Sequence, residues 1–173
     1  MSPAAHPLEQ LAVGVVVERH KSSSQWIDFT WKPVNVLPDE PNAKAWTVLR
    51  EGEGVTAYYA GGAMIDLYRS ETARYRENLE SGSPAVWVVL GATGSEPPYK
   101  VNAVTVDPSE GEGFTASADY IVEPVPMPEV IEAAVARFIG EHHVERAFVK
   151  RKRKAADTEA LAQKPGGGAR GKR

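Results

Sequence analysis

The chain has 173 residues, no cysteine and a formal net charge of −3, with 42% hydrophobic and 25% charged residues. That composition fits one globular domain able to bury its own core. Without cysteine there is no disulfide, no thiolate nucleophile and no cysteine-ligated zinc or iron–sulfur centre.

Residues 1–10 lack a cationic stretch followed by an apolar run, so no signal peptide is legible, and this segment is expected to be disordered. Residues 11–20, LAVGVVVERH, are apolar around Val13, Val15, Val16 and Val17 and predict a buried strand. KSSSQ is a polar turn. WIDFTWKPVNVL predicts a second strand in which Pro33, having no N–H, demands an edge position or a bulge near Lys32-Pro33. A loop with Pro38 and Pro41 leads to a third short strand at 45–50, closed by the turn EGEG. Strands 55–60 and 63–69 then flank Gly61-Gly62, which predicts a hairpin.

Ser70 is the expected N-cap of a helix over 70–80, with Tyr68, Thr72, Tyr75 and Leu79 on one face and Ser81-Gly82-Ser83-Pro84 as its stop. AVWVVLGA (85–92) predicts a buried strand and YKVNAVTVD (99–107) an alternating one. PSEGEGF is expected to be a glycine-rich turn, with a short strand at Ile121-Val122. Pro124, Pro126 and Pro128 then hold the chain extended before a long amphipathic helix over 128–149, with Val130, Ile131, Ala134, Val135, Phe138 and Ile139 as its apolar stripe.

This order predicts an α+β domain over residues 11–149: a curved, mostly antiparallel sheet of at least six strands or a small β-barrel, with a short helix and the long C-terminal helix as its plug. Residues 150–173 are expected to form a basic, largely disordered tail. Charge divides accordingly. Residues 1–143 hold 10 Lys and Arg against 20 Asp and Glu, a net of −10, while residues 144–173 hold 10 against 3, a net of +7. Lys150, Arg151, Lys152, Arg153 and Lys154, with Phe148 as a hydrophobic anchor, are the candidate docking arm for a protein partner; nucleic acid and the acidic body itself are the alternatives. No stretch reaches the apolar length of a membrane span, and a cytoplasmic location is expected.

His142 and His143, with Glu145, are a candidate polar site. Adjacent helical side chains diverge by about 100°, so a shared metal is not expected. The glycine runs match neither GxxxxGK[ST] nor GxGxxG, and no cofactor is expected. Asp28, Asp66 and Asp107 would serve an enzyme or small-ligand binder if they converged in a barrel mouth. Trp26, Trp31, Trp46 and Trp87 are expected as core aromatics, and no aromatic and basic sheet surface of the RNA-binding kind is legible.

The segments VGVVVERH, WKPVNVLP, YRENLESGSPAVWVVL and VNAVTVDPSEGEGF, and above all IVEPVPMP followed by EHHVERAFVKRKRK, resemble the proteobacterial family called domain of unknown function 3305, over most of residues 11–154. That family has no established reaction. Its genes tend to lie beside those of molybdenum-dependent formate dehydrogenases and their accessory factors. The resemblance therefore implies a non-catalytic accessory or adaptor protein, assisting assembly or maturation of such a molybdoenzyme. The alternatives are the carboxylate-lined binder or enzyme and a nucleic-acid-binding regulator using the tail.

Overall fold

In the computed structural model, which describes residues 5–144, β1 (Glu9–Lys21) is the strand around which the first sheet is built. Val13, Val15 and Val17 are fully buried, as the two-residue period requires of a face turned to a core. β1 lies between β2 (Phe29–Leu37) and β4 (Val55–Leu67), and β3 (Thr47–Gly52) pairs with the far edge of β4. A second sheet is formed by β5 (Ala85–Ala92), β6 (Tyr99–Thr105) and β7 (Tyr120–Pro126), with β5 central. All pairings are antiparallel.

The two sheets meet with β4 beside β6 and β2 beside β7, and no ladder joins them. The expected single curved sheet or closed barrel is therefore replaced by two sheets, and at the β2–β7 seam the prolines of β7 explain the missing ladder. Met127 N–H donates to Pro84 C=O at 3.0 Å, so the odd-numbered amides of this segment face β5. Pro124 and Pro126 fall on the free edge, which has no N–H at those positions to continue the ladder.

Pro33 behaves as its chemistry requires. β2 is an edge strand, and its pairing skips Val34, with Val16 opposite Asn35 and Val17 opposite Pro33. The hairpin expected at Gly61-Gly62 does not form. β4 runs straight through both glycines alongside β1, with Ala60 as the extra residue of a bulge and Gly62 opposite Gly14. The two glycines make room instead. A Cβ on Gly14 would stand 2.8 Å from Pro41 Cδ and 2.9 Å from Tyr59 Cε2, and one on Gly62 would overlap the Glu40 side chain. The true hairpin joins β3 to β4 through Glu53 (φ 49°) and Gly54 (φ 77°), a two-residue turn with both φ values positive.

A 3-10 turn, Arg69–Glu71, leads into α1 (Thr72–Glu80). Ser70 does not cap it; its hydroxyl bonds Glu71 Oε1 at 3.2 Å. Thr72 and Tyr75 are buried as expected, and so is Asn78. The Asn78 amide donates to the carbonyls of Ala85 and Val106 at 2.8 and 2.9 Å and accepts from Ala85 N–H at 3.0 Å. It ties the helix to the second sheet. PSEGEGF is not a turn but α2 (Pro108–Phe114), with Pro108 in the first turn and Asp107 as N-cap, accepting from Ser109 and Glu110 N–H.

α3 (Glu129–His142) buries Ile131, Val135, Phe138 and Ile139. Val130, expected on that stripe, is 65% exposed, because it lies at the edge of the apolar arc in the first turn. The helix is shorter than expected: His143 is extended (φ −72°, ψ 124°), so the regular spiral ends at His142. Residues 145–149, and the tail expected at 150–173, lie outside the described residues. By its contacts the chain divides after His143; the first unit holds all the elements above, and of the second only Val144 is described. Among the described residues no helix is long and apolar enough to cross a membrane.

Tyr75 lies where α1 meets α3, 2% exposed and 6.2 Å from Phe138 between ring centroids. Burial, chiefly, and the carboxylates of Asp107, Glu71 and Glu110 push its pKa from 10.0 up to about 12, against the Tyr68 amide that donates to its oxygen. A folded-state value above the unfolded one means full stabilisation below about pH 10 and progressive loss toward about pH 12. Urea midpoints should fall through that window and fall less in Tyr75→Phe. Tyr59 and Tyr68, also raised, leave a residual slope. A variant declining as steeply as the wild type contradicts this assignment.

Candidate functional site

β1 links two unlike ends of the molecule. At its first residue, Glu9 pairs with Arg137 of α3. Toward its last residues, the inner face carries Arg19, opposite Trp31, and Val17, opposite Tyr58. Trp31 forms the centre of an aromatic group there, with ring centroids 5.8 Å from Trp46, 5.8 Å from Tyr58 and 5.9 Å from Tyr99 of the second sheet. The Arg19 guanidinium lies 4.2 Å from the Phe29 centroid, 5.6 Å from Tyr58 and 5.8 Å from Trp31. Each aromatic pair contributes about 0.5–1.5 kcal/mol beyond area burial, and each cation–π contact about 0.5–1 kcal/mol where exposed.

Trp46 reaches this group at a cost. Its φ is 68°, a region that bulky residues rarely enter and that costs on the order of 1–3 kcal/mol. Its N–H donates to Tyr59 C=O at 2.5 Å. The strained residue turns the chain around the sheet edge, from the loop that covers Gly14 and Gly62 to the inner aromatic group. Two clefts flank this aromatic group, which forms the mouth of the molecule at the end of β1 that holds Arg19. One, of about 250 Å³, is lined by Arg19, Lys21, Phe29, Glu51, Glu53 and Thr56. The other, of about 470 Å³, lies beside Tyr99 and is lined by Gly94, Ser95, Glu96 and Pro98. At the rim Trp26 is 85%, Ile27 54% and Phe29 40% exposed.

This surface corrects one expectation: Trp26 is not a core aromatic. The grouping of Arg19 with Trp31 and Phe29 follows from the β1–β2 register, which the sequence alone does not give. Trp87 is half-buried on the other sheet, under Gly111 of α2.

The other candidates lie apart from the mouth or from one another. His143 Nδ1 is 2.9 Å from Thr72 Oγ1. The Thr72 hydroxyl also lies 3.2 Å from Arg69 C=O, and the contact with Thr72 occupies Nδ1 whichever tautomer the ring adopts. The His142 ring packs 4.6 Å from Phe138, with Nε2 3.7 Å from Glu141 Oε2. His143 thus ties the end of α3 to α1, while His142 packs within α3 itself. Among the described residues no three His, Asp or Glu side chains are placed to hold a metal ion. Asp28 belongs to the loop end, where its carbonyl accepts Ser22 N–H. Asp66 accepts from Gln10 at 2.7 Å, and Asp107, 4% exposed, caps α2 and meets Arg74 at 3.3 Å. The three aspartates do not converge. Glu145, Phe148 and Lys150–Lys154 lie outside the described residues.

Three aromatic rings, Phe29, Trp31 and Tyr58, surround the one guanidinium of Arg19 at this end. No curated protein and no solved structure matches the chain. The model of a family described as a protein of unknown function, DUF3305, matches residues 12–153, and the chain belongs to that family.

Proposed function

We propose that this is a non-catalytic accessory protein that holds a protein partner at its aromatic mouth, in a cytoplasmic setting, with the basic segment Lys150–Lys154 as a second, electrostatic contact. The observation that carries this is the rim: Trp26, Ile27 and Phe29 are exposed together beside Arg19. Tryptophan, aromatic and arginine side chains dominate the energetics of protein interfaces, and apolar side chains grouped on a surface mark interaction sites. The partner class comes from the family resemblance: a molybdenum-dependent formate dehydrogenase or a factor in its maturation.

The test is capture by the tagged full chain from a bacterium that encodes both. Wild-type protein should retain a formate dehydrogenase subunit or maturation factor. Trp26→Ser with Phe29→Ser should lose most of it at any salt concentration. Replacing all five cations of 150–154 with Gln should weaken capture chiefly at low salt, where screening lengths are longest, with the melting curve unchanged. Recovery of no such protein, or equal recovery by all variants, refutes the proposal. Retention of nucleic acid with a steep salt dependence lost in the five-residue variant would favour the regulator alternative.

A further inference from the structure

Among the described residues, β3 has β4 along one edge and no element along the other. The other peripheral strands are shielded, β2 and β7 by each other and β6 by β4. All six residues of β3 are exposed, with Val48 at 48% and Leu49 at 53%. Open edges are ordinarily short, charged or bulged. β3 is short and has a bulge at Leu49, between the pairs Val48–Tyr58 and Arg50–Ala57, yet it keeps two adjacent apolar side chains in water. An unpaired row of N–H and C=O groups is complementary to one thing, another extended backbone.

The flanking side chains specify which kind. Val48 and Glu51 stand opposite Tyr58 and Thr56 and so share the mouth's face. Arg50 is on the other face, bonded to Glu18 at 3.3 Å. Glu51 and Glu53 have no ion-pair partner among the described residues, and residues 1–143 carry a net −10.

We propose that the outer edge of β3 takes up an extended, basic segment of a partner protein as an added strand. Apolar residues of that segment lie against Val48 beside Trp46, and its cations lie against Glu51 and Glu53. This rests on the accessory reading and names the partner segment's chemistry and mode of attachment. A second copy of this chain paired through β3 is a poorer occupant, since it would bring its own Glu51 and Glu53 to the same seam.

The probe is a nine-residue peptide in which lysine alternates with valine and threonine, titrated into isotopically labelled full-length protein. Amide shifts should concentrate at Trp46–Glu53 and weaken with salt. Affinity should fall at least tenfold when alternate residues are N-methylated, and likewise when glutamate replaces lysine. Glu51→Lys with Glu53→Lys should reverse the preference between the lysine and glutamate peptides. Shifts elsewhere, binding indifferent to N-methylation, or no binding at millimolar peptide overturns the proposal. So does concentration-dependent dimerisation through β3 in sedimentation. The charge-reversed variant also separates the two claims. If it still captures the formate dehydrogenase partner while the peptide fails to bind, strand addition is wrong and the accessory reading stands. If wild-type protein captures no such partner, the accessory reading fails whatever the peptide does.

Discussion

Replacing Phe138 with alanine should destabilise the protein by about 3–5 kcal/mol, the range for removing a buried phenylalanine. Phe138 is fully buried. Its ring meets Tyr75 of α1 and is covered by His142 of its own helix, so α1 and α3 lose contacts together and the helical end cannot collapse onto the void. Set against a typical total of about 5–15 kcal/mol, that loss is a large share of the whole. Denaturant titration should show a much lower midpoint with a similar slope. A change under about 1 kcal/mol would mean that α3 is not the structural plug of this end. Truncation before Pro128, which removes all four buried residues of α3, should abolish folding altogether.

Gly111→Ala and Gly113→Ala should have opposite effects, although both place a methyl group in the same seven-residue helix. A Cβ on Gly111 would stand 2.6 Å from Trp87 Cβ and closer still to its Cγ, whereas one on Gly113 would meet nothing within 4 Å. Crowding of this kind costs about 1–3 kcal/mol, and more here if the backbone must lift α2 from the sheet. At Gly113 alanine removes the helical penalty of glycine and should stabilise by about 0.5–1 kcal/mol. Melting temperatures of the two variants should therefore lie on either side of the wild type. Equal shifts in one direction would show that α2 does not dock through Gly111.

The same helix shows where the sequence stops being informative. PSEGEGF has the composition of a turn, with two glycines and a proline, and nothing in its periodicity marks a helix. It becomes one through Asp107 and Trp87. The Asp107 cap on Ser109 and Glu110 N–H is a local signal in the Asp-Pro-Ser-Glu run. Trp87, against which only glycine fits at Gly111, is an influence that depends on tertiary position. Gly61-Gly62 misleads similarly, since Gly62 serves the close approach of Glu40 and Gly61 takes its positive φ of 131° within the bulged strand rather than in a turn. Where a strong local pattern and the core demand coincide, the two agree. Residues 85–92 were expected as a strand and form Ala85–Ala92, and four of the six stripe residues of α3 are buried. The mouth was the least legible part. Its residues come from β1, β2, β4, β6 and the loop at Trp46, and only strand register and the meeting of two sheets bring them within ring-contact distance.

The distribution of tryptophans has a practical side. Trp26, Trp31 and Trp46 all stand at the loop end, Trp87 lies beneath α2, and the α1–α3 junction is built around Tyr75 and Phe138 without an indole. The molecule thus carries its own optical label, placed almost wholly at one pole. Emission wavelength and quenching register events at the mouth, with Trp87 as a constant background. Far-ultraviolet ellipticity follows the backbone throughout. A partner arriving at the rim and a helix leaving the opposite pole would consequently be seen in different colours of light, without a dye or a tag.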